Sequence, residues 1–296
     1  MVKNVCNMDE LTLKRLAVIR HLYEKGKALS YEAEPLNGLS LLPFHDSVEM
    51  FMKLCADEQN VAVSRDTMFA KYFDLLPALQ DKAQMISLNA RRVSLKHHGQ
   101  MPSSLDVEVT RVNVIDFYEH NVPTFFSCKL EDVSLEVLIA YPSVRGFLEK
   151  YHEYLDEGKF GDAQAQCQIA FKVFMVEYHK KYDRGFDLKS GPASVLDSVK
   201  NPHLEDNTDK YLETLKEAVQ GLNEAVSVMS LGINYFKYSE FIAMGPVVNR
   251  WWGSPDGKYD YYVGMREMYD ATTAKACYDF VVETAMQLQG KNVFLY

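Results

Sequence analysis

Between Leu88 and Pro102 the chain reads LNARRVSLKHHGQMP, which sets Arg91 and Arg92 shortly before His97 and His98. Arginine stays charged and imidazole titrates near neutrality, so together they can neutralise a phosphodiester and move its protons. The same residues can equally make a polar helix end, with cations facing the terminal carbonyls. On a continuous helix residues seven apart share a face, so Arg91 stacks with His98 with Leu95 between them. Arg92 and His97 are five apart and meet only if the last turn loosens before Gly99. Gly99 and Pro102 are both helix-ending signals.

The run Arg92-Val93-Ser94-Leu95-Lys96-His97, with the LN prefix and the following His98-Gly99, resembles the R-x(4–6)-H signature of HEPN domains. It is closest to a bacterial variant reading LNxxRVxFKHxG, and the resemblance covers about residues 9 to 121. It implies a helical bundle and a metal-independent endoribonuclease, a toxin or antiviral effector, whose paired motifs form the active site of a homodimer without a cofactor. Arg92 would then neutralise the scissile phosphate. His97 would act as general base on the ribose 2′-hydroxyl or general acid on the leaving oxygen, leaving a 2′,3′-cyclic phosphate. Arg91, Lys96 and His98 would support them. Catalytic members carry a polar residue directly after the arginine, where this chain has Val93. That departure points to a non-catalytic HEPN-like module that binds RNA, a nucleotide or a protein partner, as sensor or scaffold in a bacterial defence system.

The whole chain restricts these readings. Its 296 residues, 47% of them apolar, suffice for one large or two ordinary domains. No run approaches the length of a membrane helix and MVKNVCNMDELTLKR lacks an apolar signal core, so a cytoplasmic protein without membrane contact is expected. The five cysteines are scattered and odd in number, which fits neither a disulfide framework nor a clustered zinc site. A net charge of -9 argues against broad nucleic-acid binding. A local basic pocket of Arg91, Arg92, Lys96 and Arg111 remains compatible with it.

The elements around the motif read as an all-α protein: an antiparallel bundle over 1–124, then a second helical domain over 125–296. Helices are expected from Asp9 to Lys25 with a stop at Gly26, from Gly38 to about Asp57, from Thr67 to about Pro77, from Asp81 to His98, and from a Ser104 cap to about Asn121. On the second, His45 and Glu49 share a face beside Asp46, either as contributors to the motif or a metal, or as a surface or bundle contact. Pro123 and its neighbours mark a composition break.

Beyond it, Val144–Glu157 and Asp162–Tyr182 form a helix hairpin. A single hairpin is no solenoid. Tyr211 to Leu231 keeps a near-heptad rhythm suited to packing on its own domain or on a protein partner. Pro255-Asp256-Gly257 favours a turn between aromatic flanks. There Arg250, Trp251 and Trp252 can stack a base or plug a gap between helices. A last helix is expected over Arg266–Gln289.

Overall fold

A computed structural model describes residues 8–182, 206–250, 259–264 and 269–290. The protein is all-α, with ten α-helices among the described residues and one two-stranded antiparallel ribbon. It divides into two compact units, Met1–Leu138 and Ile139–Tyr296.

The first unit begins with α1, Glu10–Leu29. Asp9 caps it, accepting from the amides of Leu11 and Thr12 at 2.8 and 2.9 Å. Gly26 does not stop this helix. It is buried within it, and a Cβ there would stand 2.5 Å from the Phe44 ring, so the glycine lets α1 close onto α2, Leu41–Glu58. A short α3, Tyr72–Leu75, replaces the longer helix expected after Thr67. Then come α4, Lys82–His98, and α5, Ser104–Phe126. Phe51 of α2 lies at the centre of the core, edge-on to Phe117 and Tyr118 at 5.7 and 5.5 Å.

Two expectations for α5 are corrected. Its cap is Ser103, in a reciprocal capping box with Asp106, while the Ser104 hydroxyl accepts from Asn37 Nδ2 at 3.0 Å. The helix also passes through Pro123 to Phe126. Proline forfeits one amide donor, and burial of Val122 and Phe126 on either side offsets that loss. Cys128, Leu130 and Val133 belong to the same core. The division between units therefore falls after Leu138 and not at 124/125.

The entry of α4 hangs on α5. Asp81, in left-handed backbone geometry at φ 64°, precedes α4, and its Oδ2 lies 2.8 Å from His120 Nδ1. Asn121 Oδ1 accepts from the Gln80 amide at 2.9 Å. The hydrogen bond to Asp81 and its charge, with Asp116 and Glu119 behind it, raise the His120 pKa above the ordinary 6.5.

In the second unit, α6, Pro142–Asp156, and α7, Phe160–Tyr182, form the expected hairpin. Next come α8, Asp206–Ser230, and α9, Tyr235–Met244. The strands β1, Val248–Arg250, and β2, Tyr259–Tyr261, pair with Arg250 opposite Tyr259. α10, Ala271–Gln289, starts later than expected because Asp270 caps it. Leu215, Leu222 and Met229 of the heptad helix α8 are exposed, so this stripe is not packed on its own unit.

A raised histidine pKa stabilises the fold fully below the unfolded value and loses that contribution as pH rises through the folded value. The stability advantage of wild type over His120→Gln should accordingly shrink as pH rises from about 6 to about 9. Urea midpoints of both proteins across that range check it.

Candidate functional site

Helix α4 stays α-helical to its last residue. Gly99, at φ 66°, donates to Leu95 O at 3.1 Å and Gln100 donates to Ser94 O at 3.3 Å, which closes the end with a left-handed glycine cap. The last turn does not loosen before Gly99. At 3.6 residues per turn, Arg92 and His97 then point about 140° apart.

Burial shows which way each points. Met85 and Leu88, on the Arg92 side, are buried in the core, while Ile86, Ala90, Val93 and His97 form an exposed stripe on the other. Arg92 therefore looks inward to α2, with its Nε shielded and lacking a hydrogen-bond partner. His97 looks outward, beside exposed Lys96 and His98.

What Arg92 meets is a cluster on α2. His45 is 3% exposed, its ring stacked on Phe69 with centroids 4.8 Å apart. Its Nε2 lies 3.0 Å from Asn89 Oδ1, and its Nδ1 faces Asp46 Oδ1 at 3.5 Å and Glu49 Oε2 at 3.9 Å. Burial, then the Arg92 charge, depress the His45 pKa against the opposing pull of Asp46, Asn89 and Glu49. Burial pushes the Glu49 carboxyl up, but Lys53 at 2.6 Å, His45 and Arg92 outweigh it and hold the carboxyl below its ordinary value. The result is an imidazole and a carboxylate both shifted below their ordinary pKa values beside an inward arginine.

The other candidate cations are dispersed. Arg91 donates to Asp106 Oδ1 at 3.0 Å and Thr110 Oγ1 at 3.1 Å, tying α4 to the start of α5. Arg111 lies over the Tyr31 ring at 4.2 Å. No shared basic pocket of Arg91, Arg92, Lys96 and Arg111 exists, because three of the four serve three different seams or faces. His45 and Glu49 do adjoin Arg92, as the shared face allowed. Asn89 entered the sequence reading only through the LN prefix of the motif, and Phe69 was given no site role there. Asn89 stands three residues before Arg92 on the same face of α4, which was the available signal. Arg250 is placed in β1 by its backbone, whereas Trp251 and Trp252 lie outside the described residues.

Comparison of the chain with protein-family models, with curated proteins and with solved structures finds no match. Chemically, the inner face of α4 can hold charge in a packed seam, and its exposed end can offer cations to a phosphate. The two groups of a nuclease pair are not brought together within one chain.

A seam role for Arg92 has a direct consequence. Arg92→Ala should cost about 0.5–1 kcal/mol of unfolding free energy, because a half-buried side chain loses its packing and its solvent-screened attraction to Glu49. His97→Ala should leave the urea midpoint unchanged. Equal midpoints for wild type and Arg92→Ala would refute the seam role.

Proposed function

We propose that the chain is a non-catalytic HEPN-like module, a sensor or scaffold that self-associates through α4 and α5 and presents the Lys96-His97-His98 end of α4 to RNA phosphate. The divergence of Arg92 and His97 on α4 carries this reading. Cleavage of a phosphodiester needs both groups within hydrogen-bonding reach of one phosphate. Here one is directed to α2 and the other to solvent.

Exposed apolar residues support an assembly role. Ile86 and Val93 on α4, and Leu105, Val109 and Val112 on α5, recur at helical spacing on faces that no other described element covers. On the second unit the exposed stripe Leu215, Leu222 and Met229 offers a protein partner a heptad face. Among the described residues no helix is long and apolar enough to cross a membrane, so these faces are not spans.

A second reading, metal-independent endoribonuclease, is favoured by one observation. The unpartnered Nε leaves Arg92 incompletely satisfied in its seam. Its release toward a phosphate shared with His97 in a homodimer would assemble the nuclease pair.

Incubation of the purified protein with labelled tRNA and unstructured RNA in chelator separates the two. The module reading expects retarded but intact RNA, with retardation weakened by Lys96→Ala and His97→Ala. Cleavage by wild type that Arg92→Ala and His97→Ala both lose would overturn it and establish the nuclease.

A further inference from the structure

The α2 cluster contains a mismatch that charge balance alone leaves in place. His45 Nε2 is 3.0 Å from the carbonyl oxygen of Asn89, a contact that suits the tautomer with the ring proton on Nε2. Nδ1 then carries a lone pair. It faces Asp46 Oδ1 at 3.5 Å and Glu49 Oε2 at 3.9 Å, both acceptors. In that tautomer three electron-pair donors converge, and one belongs to a side chain only 3% exposed.

We propose that His45 Nδ1, Asp46 Oδ1 and Glu49 Oε2 bind one divalent transition-metal ion of the zinc class. The three atoms lie within 4.8 Å of one another. A tetrahedral ion with bonds of about 2.1 Å needs ligands about 3.4 Å apart, which a small side-chain adjustment supplies. Imidazole nitrogen with two carboxylates suits zinc better than the all-oxygen preference of magnesium or calcium. The Asn89 carbonyl is the outer partner that metal-bound imidazoles usually have, fixing tautomer and ring orientation.

The surrounding charges set the limits of the site. Lys53 occupies Glu49 Oε1 at 2.6 Å and leaves Oε2 for the ion. Arg92, from α4, adds positive charge on the inner side. Asp46 is 55% exposed, so the ion enters from solvent on its side and keeps water as its remaining ligand. The site bridges one turn of α2 and does not depend on whether the chain cuts RNA.

Isothermal titration of the full chain with Zn²⁺ tests this, beside Asp46→Asn, Glu49→Gln, the double variant and a His97→Ala/His98→Ala control, each checked for native circular dichroism. The wild type should take up one ion at this site in a saturable isotherm. Each single α2 variant should bind at least about tenfold more weakly, and the control should match wild type. Asp46→Asn alters one exposed oxygen and keeps the fold, so it carries the test if the double variant does not fold. Absence of saturable uptake, affinity unchanged in Asp46→Asn, or loss of binding in the control would each overturn the assignment.

Discussion

An arginine on the core-facing side of a helix constrains everything packed against it. Arg92 lies among Met85 and Leu88 on the inner face of α4, where an uncompensated charge would cost several kcal/mol. The Glu49 carboxylate of α2, held by Lys53 at 2.6 Å, is within electrostatic reach of Arg92 and supplies opposite charge. Asn89 completes the seam by bonding His45 from α4. Together these contacts set the rotation of α4 about its axis. Everything outward on that helix, including Val93 and His97, follows from it.

The same rotation unites details that look unrelated in the chain. Arg91, one residue away, is swung toward α5 and meets Asp106, the carboxylate that also closes the capping box with Ser103. The start of α5 is therefore fixed by its own serine and by an arginine of α4. At the other end of α4, His120 and Asn121 of α5 hold Asp81 and Gln80. α4 is tied to α5 at its start and near its middle, and to α2 through His45. Arg92 and His97 can share one phosphate within a chain only if α4 itself unwinds between them.

Much of this architecture was legible in the sequence. Apolar periodicity located α1 and α2, and stop and cap signals located α4 and α5, because burial of one face and helix ends are local signals. Gly26 and Pro123 misled for a shared physical reason. A glycine is a helix stop on conformational grounds and a contact point on steric ones, and only the position of Phe44 decides between them. Pro123 breaks a helix only when burial of its neighbours does not offset the lost donor, and the apolar residues around it do so. The candidate site was legible as residue types but not as directions. His45 and Glu49 share a face by spacing, yet that this face meets Arg92, and that Arg91 leaves for α5, depends on helix pairing that spacing does not encode.

The seam between α2 and α4 is the central claim, and a double-mutant cycle measures it most directly. Unfolding free energies of wild type, Arg92→Met, Glu49→Gln and the double variant, taken in chelator at constant pH, isolate the interaction between the two side chains. Coupling of about 0.5–1.5 kcal/mol in favour of the native pair is the expected result. Additive effects, with coupling indistinguishable from zero, would contradict it and return Arg92 to the solvent side of α4.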